Sequence, residues 1–231
     1  MSEARHAPRH AVVTGSSSGI GQAIAGRLLG DGWAVAGLDV SPPALAHPRF
    51  SAHAVDLADG DATARVAAVL APAEALVHAA GIMRGGAIGE VAAGTAGLMW
   101  RIHVAAAQVL GAALLPRMAA GGRVVLIGSR AAAGAPGRAD YAATKAALVG
   151  LARSWAMELL QRGITVNVIA PAATDTAMIR DPARAGIPLR LPPGGRLITP
   201  EEVAGLAAFL LSVEARSITG QTVTICAGAS L

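Results

Sequence analysis

The chain is most informative in what it is short of. Its 231 residues contain one cysteine, Cys226, so an internal disulfide and a cysteine-rich metal centre are both excluded. Cys226 itself reads as a small apolar residue in a buried strand. Aromatic side chains are scarce: three tryptophans, two phenylalanines and a single tyrosine. With so little to stack on bases, and with arginines scattered rather than clustered, the net charge of +4 and the pI of about 10.5 do not read as a nucleic-acid footprint. Long apolar runs are missing too. The best candidate, 104–115, contains Gln108 and is followed by Pro116, short of a membrane span. The first ten residues are polar with no apolar segment, so a flexible start over 1–9 and a cytoplasmic location are expected.

What is present suffices for a core. Apolar residues make up 53% of the chain, much of it alanine, and the length suits one α/β domain over 10–231. Glycine and proline are dispersed, which argues against low complexity. Strands are expected at 11–13, 34–38, 50–55, 75–79, 123–127, 165–170 and 221–226. Helices are expected from the first glycine turn to 29, over 61–70 and 95–118, from Tyr141 to 162, and over 200–212. Proline-bracketed 41–48 leaves room for one helical turn, an abbreviated crossover. Residues 176–199, rich in proline, glycine and arginine, suggest a substrate lid. His47 and His53 read as exposed or strand-edge residues. The alternation predicts a single-domain, Rossmann-type, doubly wound parallel sheet of about seven strands with helices on both faces.

Three local patterns carry chemistry. The first strand runs into Thr14-Gly15-Ser16-Ser17-Ser18-Gly19-Ile20-Gly21 and then a helix. Free N–H groups and the helix dipole there suit a pyrophosphate, and the glycines permit close approach and tight helix–strand packing. The spacing is G-x-x-x-G-x-G, and no Gly-Lys-Ser/Thr follows as a P-loop requires. The second pattern is Asp39 at the end of the second strand. A carboxylate there accepts from both ribose hydroxyls of an adenosine and repels a 2′-phosphate, favouring NAD over NADP. Asp56 could meet the adenine amino group, with Leu57 beside it, and the backbone of Ala79, Ala80 and Gly81 could line the cofactor. The third pattern is Tyr141-x-x-x-Lys145, which a helix puts on one face. Bringing a phenol from its usual range to about 7 takes roughly 4 kcal/mol. One ammonium about 4 Å away supplies that at an effective dielectric near 20.

Together with Ser129, Asn167, Pro171 and Ile218-Thr219-Gly220, these motifs resemble the short-chain dehydrogenase/reductase superfamily, in its compact single-domain branch, over essentially 10–231. The resemblance implies hydride transfer between a nicotinamide and a carbinol or carbonyl carbon. Tyr141 would be the general acid/base and Ser129 would hold the substrate oxygen. Lys145 would bind the nicotinamide ribose and lower the Tyr141 pKa. Cofactor contacts are expected from Gly15, Ser17, Ser18, Gly19, Ile20, Gly21, Asp39, Asp56, Leu57, Ala79, Ala80, Gly81, Tyr141, Lys145, Pro171, Thr174 and Thr176. Asn167 matches a structural asparagine, no metal is expected, and a homo-oligomer (dimer or tetramer) is implied.

Three departures from the family pattern stand out. A catalytic asparagine, which bends the long helix so that a backbone carbonyl holds a water linking lysine to solvent, is replaced by His103. His103 either keeps that backbone role or joins the proton relay. The usual Asn-Asn-Ala-Gly is His78-Ala79-Ala80-Gly81, and Pro171-Ala172 stands where Pro-Gly is usual. Arg84, Arg130 and Arg138 would suit an anionic or polyhydroxylated substrate. The leading expectation is an NAD-dependent dehydrogenase of a small alcohol, sugar or hydroxy acid. A 3-oxoacyl-carrier-type reductase and an NAD-binding regulatory protein without turnover are the alternatives.

Overall fold

The structure is a computed structural model that describes residues 8–181 and 191–231. Seven strands form one sheet: β1 (His10–Thr14), β2 (Ala34–Asp39), β3 (Phe50–Ala54), β4 (Ala75–His78), β5 (Arg123–Ile127), β6 (Thr165–Pro171) and β7 (Thr222–Ile225). All pair in parallel in the order β3-β2-β1-β4-β5-β6-β7. The order reverses between β1 and β4, and the crevice beyond the carboxyl ends of these two strands is where such sheets bind ligands.

The central strands alternate by design of their sequence. Val12, Leu76, Val124 and Leu126 point to one face, and Val13, Val77, Val125 and Ile127 to the other. Both faces are covered, so both sets are apolar. One layer holds α2 (Gly60–Val69), α4 (Ala106–Leu114) and α5 (Ala139–Leu159); the other packs α1 (Gly19–Gly30) against α7 (Pro200–Leu210). Thr199 and Glu202 close a capping box at the start of α7, two reciprocal bonds that satisfy its first N–H groups.

The strand and helix positions anticipated from the sequence are present within a few residues, with four differences. Segment 41–48 contains no helical turn: β2 crosses to its parallel neighbour β3 through irregular chain that ends in a turn before Phe50, with Leu45 lying against α1. The long helix is one segment from Thr95 to Arg117 but not one geometry. It comprises α3 (Thr95–Trp100), a π turn (Arg101–Ala105), α4 and a 3₁₀ turn (Leu115–Arg117). That segment is long and apolar enough by length and composition to cross a membrane, contrary to the sequence reading, yet half of its most apolar window is buried against this domain. Cys226 lies just beyond β7 and is half-buried, because β7 is an edge strand with little cover. In the anticipated lid, α6 (Ala177–Arg180) and the stretch from 191 are described; 182–190, like 1–7, lie outside the described residues.

Candidate active site

A cavity of about 420 Å³ occupies the crevice at the switch point. Its first wall is the glycine turn, whose shape is set by the absence of side chains. A Cβ on Gly21 would sit 2.1 Å from the Gly15 carbonyl oxygen, and one on Gly15 would sit 2.9 Å from the Ala80 backbone. Gly15 also has φ +69°, in the left-handed region. Ser18 caps α1 through backbone geometry with no side-chain cap bond, and the first-turn residues Gly19, Ile20 and Gly21 line the cavity. These features fit an anionic group such as a pyrophosphate.

Asp39 and Asp56 line the next part of the wall. The Asp39 carboxylate accepts from the Ser17 N–H at 2.9 Å and from the Ser41 N–H at 2.8 Å, so its orientation is fixed by backbone. Ser17 stands at the rim beside this wall, donating its N–H to Asp39 and its hydroxyl to the Ser41 carbonyl. Asp56 is exposed, and one of its oxygens accepts from the Ala58 N–H. Leu57, Ala79, Ala80 and Gly81 complete this side.

The opposite wall comes from β5, α5 and β6. Ser129 follows β5, and its hydroxyl oxygen accepts from the Ala131 N–H at 3.1 Å. Tyr141 and Lys145, one helical turn apart on α5, both face the cavity. Lys145 is 4% exposed and donates to the Ile127 carbonyl at 2.9 Å. Burial pushes its pKa down to about 7, because desolvation penalises the ammonium. Its nitrogen lies 5.8 Å from the Tyr141 ring centroid. A full charge at that range is worth about 3 kcal/mol at an effective dielectric of 20, and in the chain alone Lys145 is partly neutral at pH 7. Pro171, Thr174 and Thr176 close the cavity from the β6 side.

Every anticipated catalytic and cofactor-binding residue lines this one cavity except Ser17 and His103. His103 is fully buried in the π turn, behind Gly81. Its Nε2 accepts from the Ile82 N–H at 3.0 Å and its Nδ1 lies 2.8 Å from Thr144 Oγ1. Both nitrogens are committed, and desolvation, with Lys145 nearby, holds its pKa well below 6.5. This geometry favours the backbone role over a titrating relay. Asn167 uses both ends of its carboxamide, donating to the Ile218 carbonyl and accepting from the Gln221 N–H, which ties β6 to the approach of β7. Arg84 pairs with Asp181 at 2.8 Å and is not among the residues lining the cavity. Arg130 and Arg138 do line the cavity. Sequence reasoning missed Ile82, Met83, Met178 and Ile179, apolar lining residues that no motif marks.

A family model described as Enoyl-(Acyl carrier protein) reductase matches residues 15–230. The 3-oxoacyl-[acyl-carrier-protein] reductase MabA of Mycobacterium tuberculosis (strain ATCC 25618 / H37Rv) is 34% identical over 241 residues, covering 95% of this chain and 92% of that one. The 3-oxoacyl-[acyl-carrier-protein] reductase FabG of Salmonella typhimurium is 48% identical over 111 residues, which span 46% of this chain and only 45% of that relative. A short-chain dehydrogenase from Burkholderia cenocepacia J2315, solved in complex with NADP, superposes with a TM-score of 0.86 at 33% identity, over 96% of this chain and 98% of that one. The chain belongs to the short-chain dehydrogenase/reductase superfamily.

Proposed function

We propose that the chain moves a hydride between nicotinamide C4 and the carbinol or carbonyl carbon of a small polar substrate. The observation that carries this reading is the convergence of Ser129, Tyr141 and a desolvated Lys145 on the cavity whose far wall is the glycine turn. When bound, the nicotinamide supplies or takes up the hydride. The glycine turn and the start of α1 hold its pyrophosphate, while Asp39 and Asp56 hold the adenosine. Ser129 donates to the substrate oxygen. Tyr141 gives its phenolic proton to that oxygen in reduction and removes it in oxidation. Lys145 holds the nicotinamide ribose and, when charged, favours the phenolate. Thr174 and Thr176, on the β6 side of the cavity, would meet the nicotinamide carboxamide.

Asp39 supports a preference for NAD, since a 2′-phosphate would meet its carboxylate. The Burkholderia relative binds NADP, so the preference is to be measured on this chain. A second reading, reduction of a 3-oxoacyl thioester, is favoured by the near full-length identity to MabA and by the apolar Met83, Met178 and Ile179 in the lining. A dimer or tetramer, as the family resemblance implies, and a cytoplasmic location go with this reading.

Stopped-flow absorbance of NADH separates the readings. Oxidation of polyols or hydroxy acids by NAD supports the first, and oxidation of NADH by a short 3-oxoacyl thioester supports the second. Tight NADH binding with turnover of neither class sinks both and leaves a regulatory protein.

A further inference from the structure

The proposed chemistry uses neither His78 nor the ring of His103, yet both are buried and titratable. Their hydrogen-bond partners fix their tautomers. Nε2 of His78 meets only carbonyl oxygens, those of Ile102 at 3.1 Å and His103 at 3.0 Å, so it carries the proton. Its Nδ1 lies 3.0 Å from Thr14 Oγ1. That oxygen already accepts the N–H groups of Ala79 and Ala80 at 3.0 Å, which leaves its own proton for His78. His103 is the reverse. Its Nε2 accepts from Ile82, so Nδ1 carries the proton and donates to Thr144, whose hydroxyl donates to the Tyr141 carbonyl at 2.8 Å.

A line of bonds therefore runs from the glycine turn through His78 to the π-turn carbonyls, and from the His103 ring to the helix that bears Tyr141 and Lys145. The His103 ring also fills a gap of fixed width. A Cβ on Gly81 would lie 3.0 Å from its Nε2 and 3.5 Å from Lys145 Nζ. The same ring stands edge-on to Tyr141, with centroids 5.7 Å apart and planes at 87°. The histidine at 78 and the histidine at 103 thus answer one another: the carbonyl of the second is held by the ring of the first.

We propose that His78 and His103 are a coupled pair of positioning residues, neutral and of opposite tautomer, that seat the π turn and fix the Gly81 wall against Tyr141 and Lys145 without exchanging protons with the substrate. Protonating His103 would turn its Nε2 into a donor facing the Ile82 N–H. Protonating His78 would set its Nδ1 against a hydroxyl that already accepts two N–H groups. Lys145, the charged group that faces both rings from α5, opposes protonation of either. Burial acts the same way, pushing His78 down to about 4.

The direct test is nitrogen-15 NMR of the histidine rings in the full chain. The expected spectrum has one buried ring protonated at Nε2 (His78) and one at Nδ1 (His103), neither changing between pH 8 and pH 5. A swapped tautomer, or titration of either ring in that range, overturns the proposal. A kinetic arm rests on the hydride-transfer reading and uses NADH with acetoacetyl-CoA and a panel of small ketones. His103→Asn is too short to span Ile82 and Thr144, and kcat should fall about 10²-fold while NADH affinity stays near wild type. His103→Gln can accept from Ile82 through its oxygen and donate to Thr144 through its amide, and should recover most of that loss. His78→Asn combined with His103→Asn should lose no more than the worse single variant, as members of one unit do. Losses that multiply, or an equal loss in His103→Gln, contradict the coupling. If wild type turns over none of the probes, the hydride-transfer reading fails while the NMR result still decides the pair.

Discussion

The two sides of the crevice are made from different materials. On the β1–β3 side, the glycine turn is shaped by missing side chains, and Asp39 is aimed by two backbone N–H groups. On the β4–β6 side, His78, His103, Thr144 and Lys145 are polar side chains taken almost wholly out of water. The first side is a steric device, so its failures are geometric. The second is an electrostatic device: each buried polar group needs a named partner, and losing one leaves another unsatisfied. Substitutions on the two sides should therefore fail differently, in binding on one and in turnover on the other.

Tyr141→Phe gives the sharpest contrast. It removes the proton donor and little volume, so kcat should drop about 10³-fold with NADH affinity retained, read by single-turnover kinetics and fluorescence titration. Gly21→Ala should do the opposite. Its Cβ would collide with the Gly15 carbonyl oxygen, so the turn must move, and NADH binding should be lost along with about 1–3 kcal/mol of stability in urea unfolding.

Lys145→Met tests the electrostatic side through pH. The folded pKa of Lys145, about 7, lies below the unfolded value of 10.5, so between them the unfolded chain binds more protons. The burial penalty is thus fully present below pH 7 and disappears as pH rises toward 10.5. In the cofactor-free chain, Lys145→Met should raise the thermal midpoint at pH 7, an advantage that shrinks steadily up to pH 10 even though activity is lost. The smallest effect is Asp39→Ala: the ratio of NAD to NADP affinity should fall about tenfold, about 1.4 kcal/mol, in paired titrations. An unchanged ratio would mean that Asp39 only shapes the turn.

The same contrast explains what was legible in the sequence. Glycine spacing, strand alternation and the Tyr141–Lys145 interval are local, and local physics fixes their outcome: strand positions, turn position and the shared face of α5 all follow. That the Ser17 N–H serves Asp39, twenty-two residues away, was not legible, because the pairing depends on how β2 ends beside the turn. The roles of Arg84 and His103 were equally hidden. Arg84 meets Asp181, 97 residues on, and His103 meets Thr144, 41 residues on. The motif comparison marked His103 as an exception, but only tertiary packing makes it a partner of His78. Leu45, lying against α1, accounts for a 41–48 crossover without a helix: proline restricts the chain and one apolar contact anchors it.

The claim on which the account turns is that one cavity binds the dinucleotide on its steric side and performs proton transfer on its electrostatic side. A single-turnover measurement of NADH oxidation, comparing wild type with Tyr141→Phe at saturating NADH and a 3-oxoacyl thioester or small ketone, tests it most directly. The account predicts rapid loss of NADH absorbance in wild type and a rate about 10³-fold lower in the variant at equal NADH occupancy. Equal rates in the two proteins, or NADH bound by wild type and consumed with no substrate, would contradict it.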